Sequence, residues 1–108
     1  MPAEYVTVII EYRTLPDSVA PAFAEIEGLI RTVVASEPDC HGIRLLQDTQ
    51  DPTRMLLYEE WSSREAYFGP HLLTAHLCAF KAKAPSLFAG PPVIHVWQQQ
   101  AAYVPSTP

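Results

Sequence analysis

LLYEEWSSREAYFGPHLLTAH, residues 56 to 76, changes its period once, and that change decides the fold. Side chains alternate along a strand, so Met55, Leu57, Glu59 and Trp61 share one face and Leu56, Tyr58 and Glu60 the other. Both faces carry apolar residues, so neither is fully wet. At SSREAYF the pattern turns helical, with Ser62 or Ser63 as cap and Glu65 near the positive helix end. Gly69-Pro70 interrupts the helix. HLLTAHLCAFKAKA resumes it through Leu72, Leu73, His76, Leu77 and Phe80.

Upstream, YVTVIIEYR (Tyr5–Arg13) is rich in β-branched and aromatic residues and reads as a strand. TLPDS breaks it, and Asp17 or Ser18 can cap a helix there. Val19, Phe23, Ile26, Ile30 and Val33 lay one apolar stripe on that helix, and Pro38 ends it. CHGIRLLQD is a second strand, TQDPT a turn, and RMLLYEEW a third strand, antiparallel to the second because the connection is so short. PPVIHVWQQ supplies a fourth strand. The order β-α-β-β-α-β predicts an α+β, ferredoxin-like domain: a four-stranded antiparallel sheet with helices on one face. The natural cover for the other face is a second copy of the chain, giving a homodimer.

The totals fit this picture. A chain of 108 residues implies one domain, here residues 1–99, with 100–108 as a flexible or partner-covering tail. The net charge is −5 and the arginines form no run, which argues against nucleic acid or an anionic membrane as partner. No stretch of about 18 apolar residues and no signal pattern occurs, so the expected location is the cytoplasm. Cys40 and Cys78 lack CxxC spacing and read as reduced, partly buried thiols.

The stretch EPDCHGIRLLQDTQDPTRMLLYEEWSSREAYFGPHLLTAH resembles the antibiotic-biosynthesis monooxygenase family of dimeric α+β barrels. The shared features are Glu37-Pro38 after the first helix, the small turn between strands two and three, Glu59-x-Trp61, a Ser-capped helix, and His71-x4-His76. The resemblance covers residues 5 to 97. It implies a homodimer with one cavity per subunit between sheet and helices. Some members of the family oxidise aromatic polyketides or quinols with O2 and no cofactor, others degrade haem, and others isomerise small phosphorylated sugars.

Cofactor-free oxygenation suits the residues, since the sequence shows no GxGxxG, no P-loop and no metal cluster. Such chemistry needs one base, one or two donors and apolar walls around an electron-rich phenol or quinol. Trp61 is the first donor to name; its alternative is a core residue with its N–H on a carbonyl. His71 and His76, five residues apart and so about 140° around a helix, would not both face one point and cannot form an i, i+4 metal pair. Either can be the base, and His76, in the apolar stripe, is favoured as the cavity-facing one. Glu59 could orient a histidine, or pair with Arg44 across the strands. Tyr58 and Tyr67 are further donors, with exposed or interface positions as their alternative. His41 and His95 are weaker candidates. Haem-degrading relatives rely on an asparagine in the first strand, a tryptophan in the second helical region and an axial histidine; this chain has no asparagine and SSREAYFGPHLL offers no tryptophan, so the resemblance disfavours haem cleavage, though His76 alone could ligate iron. The rival from another class is a non-catalytic, small-ligand-binding dimer. A polar, histidine-bearing cavity favours the enzyme, and one plugged by Phe23, Phe68, Phe80 or Trp97 the binder.

Overall fold

A computed structural model describes residues 5–106. Strand β1 (Val6–Arg13) leads through a 3-10 turn (Pro16–Ser18) into helix α1 (Val19–Ser36). Strands β2 (Cys40–Asp48) and β3 (Asp51–Trp61) form a hairpin, and β3 starts three residues earlier than its apolar pattern suggests. Helix α2 (Arg64–Phe68), a 3-10 turn (Pro70–Leu73), helix α3 (Ala75–Lys83) and strand β4 (Val93–Trp97) complete the order. All pairings are antiparallel, in the order β2-β3-β1-β4. This is the α+β ferredoxin-like arrangement, with both helical segments on one sheet face.

Alternation along β3 holds. Met55, Leu57, Glu59 and Trp61 are all buried beneath the helices, whereas Leu56, Tyr58 and Glu60 are only partly covered on the open face. Val8 and Ile10 of β1 pair with Glu59 and Leu57 on the inner side, and Ile26 and Val33 of α1 are buried with them. Burying each large apolar side chain contributes about 1.5–3 kcal/mol, and this layer fixes the helices on the sheet. The open face leaves Leu46, Val93 and Trp97 exposed. Their strand partners Leu56, Glu11 and Thr7 mark them as outward-pointing.

The region after β3 departs from the sequence expectation. The cap is as expected: of the two serines Ser63 caps α2, its Oγ accepting from the Ala66 N–H at 3.1 Å. A Cβ on Gly69 would stand 2.8 Å from the Glu65 carbonyl oxygen, so the tight turn out of α2 requires glycine. The second helix is not one resumed element. Thr74 is extended (φ −67°, ψ 147°) and caps α3, its Oγ1 accepting from the Leu77 N–H at 3.4 Å and donating to the His71 carbonyl at 2.8 Å. A side chain that competes for backbone groups ends one helical segment and starts another. His71 and His76 therefore sit on separate elements.

Residues 98–106 form neither helix nor strand, and Tyr103 and Val104 are exposed. The last two residues of the expected tail lie outside the described residues. Both cysteines are free, Cys40 buried and Cys78 exposed. Among the described residues no helix is long and apolar enough to cross a membrane.

Candidate functional site

Glu37 caps the C-terminal end of α1, where Pro38 stops the helix, and its carboxylate turns toward the segment after α2. His71 Nδ1 lies 2.9 Å from its Oε1, and His76 Nε2 lies 2.6 Å from its Oε2. A carboxylate only accepts, so both imidazole nitrogens facing it carry hydrogen. The expectation that the two histidines diverge is thus corrected. The angle of one continuous helix does not apply, because the break at Thr74 re-aims α3 and lets both rings meet one acid. Glu37 lies in the family-like stretch, yet the sequence assigns it no role: a glutamate at a helix end before proline looks like an ordinary terminus until the histidines arrive.

His71 is buried, and its ring stacks close to the Trp61 and Tyr67 rings, with centroids 4.6 and 5.1 Å away. Burial pushes its pKa down from the usual 6.5, against the opposing pull of the Glu37 carboxylate. The neutral ring then has its proton on Nδ1, leaving Nε2, which has no hydrogen-bond partner among the described residues, as a free base.

Glu59 is also buried, and it accepts a hydrogen bond from Trp61 Nε1 at 2.9 Å. Burial pushes the carboxyl up to about 7; the Trp61 hydrogen bond opposes that rise and the nearby Glu37 charge adds to it. No arginine among the described residues reaches it. Arg44 lies instead on the open face, 5.8 Å from the Tyr58 ring centroid, so the expected cross-strand ion pair is absent. The Trp61 N–H meets neither a carbonyl nor empty space: it is committed to Glu59.

A narrow cavity of about 30 Å³ lies between sheet and helices, and Glu59, His71, Tyr12 and Tyr67 supply its polar lining. Leu57, Ile43, Leu77 and Val33 are among its apolar walls. Burial raises the pKa of both tyrosines, so both hydroxyls stay protonated and can donate. Neither makes a hydrogen bond among the described residues. The cavity carries a histidine, and none of Phe23, Phe68, Phe80 and Trp97 lines it. The histidine is His71. His76, expected to face the interior, borders an outer groove between α1 and α3 instead. Tyr58 points into the opposite side of the sheet, beside Thr7, Ile9 and Trp97, and shares no space with the others. His95 is exposed on that same open face, while His41 bonds Ser62 Oγ at 2.8 Å at the surface. Sequence reasoning misses Tyr12 as an inward donor and favours the surface for Tyr67. Only the pairing of Tyr12 with Met55 and the capped turn of α2 aim the two rings inward.

Tyr12 also borders a second, open groove of about 710 Å³, lined by Phe88, Pro85, Pro91, Pro92 and Ile94 with Lys81 at its side. Tyr12 therefore borders both the inner cavity and the larger outer space.

Solved structures share this architecture. PA3566 from Pseudomonas aeruginosa matches with a TM-score of 0.83 at 21% identity, over 94% of this chain and 99% of its own. Rv0793 from Mycobacterium tuberculosis matches with a TM-score of 0.79 at 22% identity, over 93% and 99%. A structure described as an antibiotic biosynthesis monooxygenase matches with a TM-score of 0.75 at 21% identity, over 93% and 99%. At these identities the likeness shows the fold. No curated protein matches the chain. The family model described as "Antibiotic biosynthesis monooxygenase" matches residues 5–83, which include Glu37, Glu59, Trp61, His71 and His76. The chain belongs to the antibiotic biosynthesis monooxygenase family.

Proposed function

We propose that the protein is a monooxygenase that oxidises a small phenolic or quinol-type aromatic with O2, drawing the electrons from the substrate and using no bound cofactor. The observation that carries this reading is the single cavity in which a neutral-leaning histidine held by Glu37, a carboxyl pushed up to about 7, and two tyrosine hydroxyls converge. His71 Nε2 takes the phenolic proton, with Glu37 holding the ring as an acid holds a catalytic imidazole. Tyr12 and Tyr67 donate to the anion's oxygen. The anion passes one electron to O2, and the resulting radical and superoxide join at a ring carbon. The imidazolium returns its proton to the peroxide. The O–O bond breaks as the carbon's own hydrogen passes to ionised Glu59, which hands that proton to the departing hydroxide, so water leaves and a carbonyl remains. For a hydroquinone the balance is substrate plus O2 giving hydroxyquinone plus H2O. Trp61 serves by holding Glu59, and His76 by holding Glu37, so both are positioning residues; Tyr58 has no part in the step.

Dry cavities that accept benzene are about 150 Å³, so a ring enters only if the inner space of about 30 Å³ expands. Rotation of Tyr12 would join it to the outer groove, whose apolar walls suit a flat aromatic. The small inner volume also favours a second reading, a non-catalytic dimer that binds a small ligand.

Two copies pair through their open sheet faces in this proposal, because within one chain Leu46, Val93 and Trp97 are exposed and Ile9, Leu56 and Tyr58 only partly covered. Oxygen uptake with a panel of hydroquinones and anthrones separates the readings. Uptake by wild type, abolished in His71→Ala and reduced in His76→Ala, supports the oxygenase. No uptake above the protein-free control, with saturable binding of the same compounds, supports the binder.

A further inference from the structure

Glu37, His71 and His76 come from the end of α1, the turn after α2 and the start of α3, and their ligand-capable atoms all lie within 4.8 Å of one another. We propose that these three side chains form a mononuclear site for a divalent first-row transition ion, with Zn2+ as its probe. Two imidazoles and one carboxylate are a donor set that such ions accept. Around a tetrahedral ion, bonds of about 2.0–2.2 Å place two donors about 3.3–3.6 Å apart. The donor atoms, now within 4.8 Å of one another, close on a common centre by side-chain shifts of about an ångström.

The protonation states suit the exchange. Each ring now points an N–H at Glu37, and a neutral imidazole can carry that hydrogen on its other nitrogen instead, so an ion takes the place of two hydrogen bonds without displacing a net proton. Burial already holds His71 toward the neutral form that a metal requires. Access is available from one side only: His71 is sealed, whereas the side chains of His76 and Glu37 are 23% and 12% exposed and the groove between α1 and α3 runs past His76. Three protein ligands leave a further position for water. The ion would tie α1, the 3-10 turn and α3 together at the roof of the cavity. A metal on Nδ1 of His71 also leaves the ring proton on Nε2, so the loaded protein presents a donor to the cavity in place of a base. That last consequence rests on the oxygenase reading; binding does not.

The test is calorimetric titration of the chelator-stripped full chain with Zn2+ near neutral pH, with Co2+ absorption as a second readout. One ion per chain is expected, with affinity lowered about a hundredfold or more in Glu37→Gln and in His76→Ala. His41→Ala and His95→Ala should bind as wild type does. Wild type that takes up no stoichiometric ion, or both variants binding with unchanged affinity, overturns the site. If circular dichroism shows that His76→Ala is unfolded, Glu37→Gln, which keeps the side-chain shape, decides alone. Oxygen consumption plays no part in this measurement, so failure here and failure of the oxygenase reading are told apart.

Discussion

The Glu37 carboxylate lies 2.9 Å from Nδ1 of His71, across thirty-four residues of chain. It sets which ring nitrogen is bare, and so which one can act as base. His71→Ala should lower oxygen-uptake turnover by about 10²–10⁴-fold, the usual worth of a positioned acid or base. Glu37→Gln keeps the hydrogen-bonding shape but offers His71 and His76 a neutral partner. Its turnover should fall less than that of His71→Ala, with the substrate KM little changed. Equal activity in Glu37→Gln and wild type, measured by oxygen electrode, would remove the orienting role.

Glu59 makes folding stability depend on pH in a defined window. Its carboxyl rises from an ordinary 4.5 to about 7, so between those values the folded protein holds a proton the unfolded chain has lost. Its stabilising contribution is complete below about pH 4.5 and disappears as pH climbs through about 7, a loss on the order of 3 kcal/mol. Glu59→Gln cannot ionise, so its melting temperature should gain on wild type between about pH 5 and pH 8. His71, depressed below 6.5, acts the opposite way as pH falls, but it does so in both proteins and cancels in the comparison. Parallel melting curves would show that Glu59 is not buried as an acid.

Trp61→Phe isolates the indole N–H. The ring stays in the core while Glu59 loses the bond that holds its pKa down. The midpoint of Glu59 titration, followed by carboxyl NMR or by the pH profile of turnover, should move upward. A downward or unchanged midpoint contradicts the 2.9 Å contact.

Thr74 holds the break that brings the histidines together. Thr74→Ala removes an N-cap acceptor and should cost about 1 kcal/mol in chemical denaturation. Because α3 carries His76, the same change should also weaken oxygen turnover without touching the cavity wall. A variant as stable and active as wild type would mean that backbone alone sets the break.

The open sheet face predicts its own assembly. Trp97 and Leu46 are 60% and 49% exposed in one chain. Sedimentation should give a dimer for wild type, and Leu46→Lys with Trp97→Ser should shift it toward monomer with helix content retained. A wild type that sediments as a monomer at micromolar concentration ends the paired-sheet proposal.

Element order, strand faces and the helix stripe of α1 were legible from residues alone, because alternation and helical period are local and repeated along the chain. The burial of Met55, Leu57, Glu59 and Trp61 comes from that alternation, and so does the outward aim of Tyr58. Which histidine enters the cavity was not legible. HLLTAHLC reads as continuous helix by period, yet one threonine hydroxyl and one crowded glycine split it, and the two rings then turn toward an acid thirty-four and thirty-nine residues away. Contacts over such separations depend on how α1 lies across the sheet, which packing decides after the local pattern is spent. The sequence determined the layers of this protein; only the tertiary structure decided that Glu37, His71 and Glu59 share one buried electrostatic neighbourhood, because charge acts through space and not along the chain.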